Sequence, residues 1–321
     1  MVFHIGLAFS FIYCSPFQSQ KQLRWAISGS DNNPLKTHIG ALISKYADQL
    51  REAGIDCAEA ECELILCNVL EVDRLNLYLH GDSLIDEQAM AKIENIVSKR
   101  ITRYPLQYIL SESWFYGRCF YVNESVMIPT PETELLCKAA IGFCETNKMQ
   151  RPRILDIGTG SGVIAVTLAG ELIDTEITAI DICQAALDVA KKNAAKLSPE
   201  KTISFLKSDL FESLNNTKKF DLVLSNPPYI TEEEYLSVPP EVKADPKIAI
   251  TSGSDGLDAI KVILKKAPDY LAVNGRIMFE IGHKQSEKIS KLVESDSRYS
   301  SISILKDLND IDRIVILSCD K

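Results

Sequence analysis

Histidine is scarce in this chain: there are four in 321 residues, at positions 4, 38, 80 and 283. Three of them precede residue 100, which leaves little from which to build a Ser-His-Asp or Cys-His catalytic group. Paired cysteines are lacking as well. Nine occur, at 14, 57, 62, 67, 119, 137, 144, 183 and 319, and none forms a Cys-x-x-Cys pair or a Cys/His set with zinc spacing. A dispersed, odd number fits reduced thiols in a cytosolic compartment, most of them packing as small core residues. No metal site is expected. No apolar run is long enough to span a bilayer, so no membrane partner is expected. An excess of basic residues is also missing. The net charge is −9; residues 1–103 carry 10 basic and 13 acidic side chains, and the rest carries 25 and 31. Neither part has the bulk charge of a nucleic-acid-binding module.

The length predicts two domains. The chain opens on the apolar VFHIGLAFSFIYC, with no acidic residue before Asp31 and a single arginine, Arg24. It has neither the basic start of a secretory signal nor the arginine content of a transit peptide. Residues 1–34 are therefore expected to be a poorly ordered extension of unknown role. The expected compartment is cytoplasmic, or mitochondrial if this extension is a presequence.

Residues 35–103 are predicted to be a small helical domain. Ile39, Leu42, Ile43, Tyr46 and Leu50 recur at helical spacing, and Gly54 ends that helix. Asp56 with Glu59 has the form of a capping box for the next helix, and Asp86 can cap another. Residues 104–129 are predicted to be a hairpin linker, with aromatics around Gly117. From 130 to 321 strand and helix patterns alternate. Strands are predicted at 153–158, 176–181, 202–207, 220–225, 275–281, near 301–305 and at 312–318. Helices are predicted at 161–170, 182–197, 257–271 and 286–294. This is the pattern of a doubly wound α/β sheet of seven strands. The last two strands have too short a connection for a crossover helix and should pair antiparallel.

Between the first of these strands and its helix lies Gly158-Thr159-Gly160-Ser161-Gly162. A glycine-rich turn at a helix N-terminus lets a ligand approach the backbone, in the crevice where open α/β sheets bind nucleotides. The Gly-x-Gly-x-Gly spacing favours S-adenosylmethionine over a nicotinamide dinucleotide. Asp181, at the tip of the next strand, can accept hydrogen bonds from ribose hydroxyls. Asp209, after the third strand, can face an adenine amino group. The fourth strand ends in Asn226-Pro227-Pro228-Tyr229. Two prolines make a rigid corner. The Asn226 side-chain oxygen and the Pro227 carbonyl can accept the two N–H bonds of a planar nitrogen group, and Tyr229 offers it a flat face. Such acceptors orient a delocalised, weakly nucleophilic nitrogen for methyl transfer without a histidine.

The stretches LDIGTGSGVIAVTLA, AIDI, SDLFESL and SNPPYI resemble a class I S-adenosylmethionine-dependent N-methyltransferase. Beyond them, YPLQYIL, FYG, IPTPETELL, VPPEV, SGSDGLDAI, FEIG and DLNDIDRIV are similar to the release-factor glutamine methyltransferases, the HemK/PrmC family. The resemblance runs from about residue 36 to 318. It implies a seven-stranded Rossmann-like methyltransferase sheet, preceded by a small helical domain and joined to it by a β-hairpin. It implies methyl transfer from S-adenosylmethionine to the side-chain amide nitrogen of the glutamine in the Gly-Gly-Gln loop of class 1 release factors. Gly158, Thr159, Gly160, Ser161, Gly162 and Asp181 would bind the cofactor, with Asp209 and Leu210 near the adenine and Asn226 beside it. Asn226, Pro227, Pro228 and Tyr229 would hold the glutamine, with Asn226, Pro227 and Tyr229 assisting transfer. The helical domain would contact the release factor. Apart from the resemblance, the protein is expected to be a monomer. Glu132 and Thr133 fall in a segment expected near the active site. The chain departs from the family pattern at Thr130, where arginine is usual, and at Ser111, where glycine is usual. The alternative enzymatic reading, a DNA adenine-N6 or rRNA guanine-N2 methyltransferase, would need a basic recognition surface.

Overall fold

The computed structural model describes residues 38–81 and 85–319. The expected extension over 1–34 lies outside them. The chain divides between Ser111 and Glu112 into two compact units.

The first unit is helical: α1 (Ile39–Glu52), α2 (Ala58–Leu70), α3 (Arg74–Leu79), α4 (Glu87–Ile101) and α5 (Leu106–Leu110). Ile39, Leu42, Tyr46 and Leu50 are all buried along one face of α1, as their spacing requires. They pack with Cys62, Ile65 and Leu66 of α2 and Ile93 and Val97 of α4. Gly54 follows the end of α1 at φ +79 and donates to the Arg51 carbonyl. Asp86 caps α4 by accepting from the Ala89 N–H. The capping box expected at Asp56 is not made. Cys57, not Asp56, occupies the N-cap and makes no side-chain bond, so Glu59 falls at the second helical position, where its carboxylate pairs with Arg51. Arg100 of α4 is buried and gives both Nε and Nη2 to Glu61 of α2, at 2.6 and 3.1 Å. Residues 106–110, expected within the hairpin linker, form α5, since Leu106 is buried in this helical core.

The second unit begins with a hairpin, β1 (Glu112–Phe115) and β2 (Arg118–Tyr121). Tyr116 and Gly117 turn it, both at positive φ, the backbone of a two-residue hairpin turn. Helix α6 (Glu132–Thr146) follows. Then come β3 (Arg153–Ile157), α7 (Val163–Glu171), β4 (Glu176–Asp181), α8 (Gln184–Leu197), β5 (Ile203–Lys207) and β6 (Phe220–Ser225). Three short helices, α9 (Glu232–Tyr235), α10 (Pro240–Lys243) and α11 (Lys247–Ile250), precede α12 (Asp258–Lys266). The chain ends with β7 (Leu271–Glu280), α13 (Ser286–Glu294), β8 (Tyr299–Lys306) and β9 (Asp312–Cys319). The sheet has seven strands in the order β5-β4-β3-β6-β7-β9-β8. All pairs among the first five are parallel, while β9 runs antiparallel to both neighbours. The expected antiparallel pairing of the last two strands is therefore present.

Helix α12 stops sooner than its pattern suggests, and β7 starts sooner. Pro268 lacks the N–H an α-helix needs, so Ala267–Tyr270 tightens into a 3-10 turn that leads straight into the strand. Two apolar clusters hold the unit together. One gathers Leu136, Ile164, Leu168 and Leu224 with the hairpin residues Phe115 and Phe120. The other gathers Leu155, Phe220, Ile260, Ile277, Phe279 and Ile289. The strands buried between them read as continuous apolar runs, as parallel strands covered on both faces do.

Candidate active site

The sheet order reverses between β3 and β6. The chain leaves β3 toward β4 on one side and returns to β6 on the other, which opens a crevice beyond the strand ends. The register sets Ile157 beside Ser225, and the buried Ser225 hydroxyl donates to the Ile157 carbonyl over 2.9 Å. The glycine turn and the Asn226-Pro227-Pro228-Tyr229 corner, which begin one residue later, are thus fixed side by side. Asp181 ends β4, and Asp209 and Leu210 follow β5. Four adjacent parallel strands bring the glycine turn, Asp181, Asp209, Leu210 and the Asn226-Pro227-Pro228-Tyr229 corner to the carboxyl-terminal end of the sheet.

The glycines of the turn serve different ends. Gly158 and Gly160 sit at φ +70 and +55, and a Cβ on Gly158 would meet nothing within 4 Å. Backbone conformation and open space demand glycine there, and that space is where a ligand can approach. Gly162, at φ +84, is a packing glycine: its Cβ would stand 3.1 Å from that of Ala190 on α8. Asp181 accepts from the Gly160 N–H on one oxygen and from the Cys183 N–H on the other, both at 2.9 Å. Burial raises its pKa, and these backbone donors oppose that rise. Each oxygen keeps a lone pair for a hydroxyl ligand. Below the turn, Asp156 is wholly buried and accepts from Thr159 Oγ1 over 2.6 Å. Burial pushes its carboxyl up to about 7. The exposed Asp209 and half-buried Leu210 form a turn, Leu210 at φ +46, braced by the Ser208 hydroxyl bonded to the Leu210 carbonyl. Ser208 N–H in turn donates to the Asp181 carbonyl over 2.9 Å. The open backbone at Gly158, the carboxylate of Asp181 and the Asp209 turn lie together beyond the strand ends, where they could hold a nucleoside cofactor.

At the corner, Pro227 is buried while Asn226, Pro228 and Tyr229 are half-buried. Three residues given no role from the sequence hold this corner. Asn226 Nδ2 donates to Thr133 Oγ1 over 2.9 Å, and Thr133 Oγ1 donates to Glu280 Oε2 over 2.7 Å. Tyr229 Oη points at Glu280 Oε1 from 3.4 Å, a weak bond. Gln285 donates to the Tyr229 carbonyl at 3.0 Å. Thr133 stands in the first turn of α6 and Glu280 at the end of β7, so three elements converge here. Burial pushes Glu280 up to about 7. The Tyr229 hydroxyl is held well above its ordinary value by burial and the nearby Glu280. A further buried amide, Asn193 of α8, exchanges two hydrogen bonds with the Tyr121 backbone and also donates to the Ser161 carbonyl over 2.8 Å. It joins the hairpin to the glycine turn. The motifs ETELL and FEIG carry Thr133 and Glu280, and they were the available signal for both.

Comparison with known proteins identifies the family. Residues 41–110 match the PrmC N-terminal domain, and residues 140–239 match the methyltransferase small domain. A release factor glutamine methyltransferase of Fusobacterium nucleatum is 38% identical over 277 residues, covering 86% of this chain and 77% of that protein. One from Bacillus cereus is 36% identical over 269 residues, covering 83% of this chain and 94% of that protein. The chain belongs to the release factor glutamine methyltransferase family. As in other methyltransferases, its sheet is Rossmann-like. The hMettl16 catalytic domain, solved in complex with a MAT2A 3'UTR hairpin, shares the fold with a TM-score of 0.51 at 18% identity. That likeness covers 70% of this chain and 82% of that one.

Among family departures, Ser111 caps α5 in the left-handed conformation, φ +57, where glycine carries no penalty. Thr130 stands with its hydroxyl 3.5 Å from that of Thr133, beside the corner.

Proposed function

We propose that the protein transfers a methyl group from S-adenosylmethionine to the side-chain amide nitrogen of the glutamine in the Gly-Gly-Gln motif of a class 1 peptide chain release factor. One observation carries this reading. Asn226 follows the strand end paired with the one that leads into the glycine turn, and its Nδ2 is committed to Thr133, which leaves Oδ1 as an acceptor. An amide nitrogen is a poor nucleophile because its lone pair is delocalised. Acceptors at Asn226 Oδ1 and the Pro227 carbonyl take its two N–H bonds, turn the lone pair outward and favour positive charge developing on nitrogen. Tyr229 gives the planar amide a face to lie on. When bound, S-adenosylmethionine supplies the electrophilic methyl group. Asn226 Oδ1 and the Pro227 carbonyl would hold the amide nitrogen toward that methyl group, and the proton the amide gives up would pass to solvent.

On this reading Gly158, Thr159, Gly160, Ser161, Gly162, Asp181, Asp209, Leu210 and Asn226 make the cofactor site, and Asn226, Pro227, Pro228 and Tyr229 the substrate site. The helical unit binds the release factor. Its α3 turns Leu75, Tyr78 and Leu79 toward solvent, at 69, 57 and 69% exposure, an apolar face suited to a protein partner. The acidic balance of both units supports a protein partner over nucleic acid, and action as a monomer in the cytoplasm is part of the same reading.

The test is mass spectrometry of a purified class 1 release factor after incubation with the protein and S-adenosylmethionine. The expected product is a single added methyl group on the Gly-Gly-Gln glutamine, lost with Asn226→Ala. An unmodified factor, with cofactor binding intact by calorimetry, would move the search to another substrate nitrogen.

A further inference from the structure

A carboxamide is nearly symmetric in shape. A half-turn about its last torsion swaps an acceptor for a pair of donors with little steric change. Asn226 therefore needs neighbours that decide which end faces the substrate. Thr133 is one of them, and its hydroxyl has a single proton. That proton goes to Glu280 Oε2 over 2.7 Å. An ionised carboxylate accepts only, so the hydroxyl must donate toward it and can show Asn226 only a lone pair. Asn226 then has to present Nδ2, as it does at 2.9 Å. Thr133 and Glu280 are each 1% exposed, so water does not compete for these bonds. Thr130 Oγ1, at 3.5 Å from Thr133, is too distant to draw the proton away from Glu280.

We infer that Glu280 and Thr133 are positioning residues that hold the Asn226 amide with Oδ1 toward the nitrogen to be methylated. The inference deepens the methyl-transfer reading above and rests on it for its kinetic consequence. The direction of the chain depends on the charge of Glu280. Once protonated, Glu280 can donate to Thr133, whose own proton then turns to Asn226 and selects the opposite amide orientation. Nδ2 would then meet the substrate N–H groups, donor against donor. The groups facing Glu280 are Thr133 and Glu132 of α6, Arg313 of β9, and Tyr229. Burial, the largest influence, raises its pKa to about 7, and Glu132 raises it further, while Thr133, Arg313 and Tyr229 act the other way. The productive orientation is therefore gained as pH rises through neutrality.

Two measurements on the full-length protein test this. In steady-state kinetics with a class 1 release factor, Thr133→Val removes the hydroxyl at nearly constant shape, and Thr133→Ser restores it. Thr133→Val is expected to lower kcat about tenfold or more while S-adenosylmethionine affinity and the KM for the factor change less than about twofold. Thr133→Ser should stay within about threefold of wild type. The rise of kcat through neutral pH should vanish in Glu280→Gln. The second measurement uses no substrate: the nitrogen-15 side-chain signal of Asn226, assigned by its loss in Asn226→Ala. It should shift with pH through neutrality in the wild type, stay fixed in Glu280→Gln, and move toward its solvent-exposed position in Thr133→Val. A wild-type protein that methylates no release factor overturns the methyl-transfer reading, and the Asn226 spectrum still decides the relay. A signal insensitive to pH and to both substitutions, or an unchanged kcat in Thr133→Val, overturns the relay.

Discussion

Gln285 Nε2 donates to the Tyr229 carbonyl over 3.0 Å, and the same side chain spans two more loops, accepting from Gly282 N–H at 2.8 Å and donating to the Gly256 carbonyl at 3.2 Å. Gln285 is buried, so its partners have no water to turn to. Gln285→Leu leaves two buried backbone groups and one half-buried carbonyl without this partner. The expected loss is about 3 kcal/mol, with a fall in Tm on the order of 10 °C in thermal unfolding. An unchanged Tm would show that the three loops support the corner without it.

Two glycine-to-alanine substitutions should separate substrate from cofactor. Gly256 sits at φ +73, and a Cβ there would stand 2.3 Å from the Tyr229 carbonyl oxygen. Gly256→Ala must displace the corner and should lower kcat about tenfold or more, with S-adenosylmethionine binding kept. Gly158→Ala meets no atom within 4 Å. It should fold with a penalty of about 1–2 kcal/mol from its left-handed backbone while weakening the cofactor complex. Calorimetric titration of both variants with S-adenosylmethionine distinguishes the two behaviours.

The stability of the protein should carry a signature of Glu280. Its pKa is raised to about 7 in the folded state, against 4.5 for the ordinary group. The folded state then holds a proton that the unfolded chain gives up first. The resulting stabilisation is complete below pH 4.5, is lost as pH rises toward 7, and is gone above that. The loss is on the order of 3 kcal/mol for a shift of this size. Glu280→Gln should flatten this part of the profile. Urea unfolding of both proteins across that window is the measurement; parallel profiles would mean that Glu280 ionises in the fold as it does in the unfolded chain.

Ser111→Gly should stabilise the helical unit. Ser111 holds φ +57 at the C-cap of α5. Relief of the left-handed strain is worth about 1 kcal/mol, partly offset by the greater freedom of glycine in the unfolded chain. Thermal or urea unfolding would register the gain, and a destabilised variant would show that the serine side chain contributes more than its backbone costs.

Much of the frame was legible because period and punctuation agree. Apolar runs of five or six residues alternate with helical stretches, and the glycine turn and the double proline mark strand ends. The short span between β8 and β9 predicted their antiparallel pairing. Local signals failed by small shifts in where an element starts. Asp56 and Glu59 have capping-box spacing, but α2 begins one residue later, with Cys57 at its N-cap. The corner itself was readable from Asn226 to Tyr229, whereas the residues that orient it were not. Glu280 lies 147 positions from Thr133 and reads as the polar end of an apolar strand. Nothing local tells a buried carboxylate from a solvated one. The meeting of α6, β6 and β7 at one point is a property of sheet order, which no single segment encodes.

Asn193 also sets a timetable for the site. The hairpin is synthesised well before α8, and the side chain that pairs with both backbone groups of Tyr121 is made 72 residues later. The same amide pins the Ser161 carbonyl, so the hairpin and the glycine turn become fixed together when α8 docks. A nascent chain that ends before α8 contains every glycine of the turn but lacks the clasp that closes it.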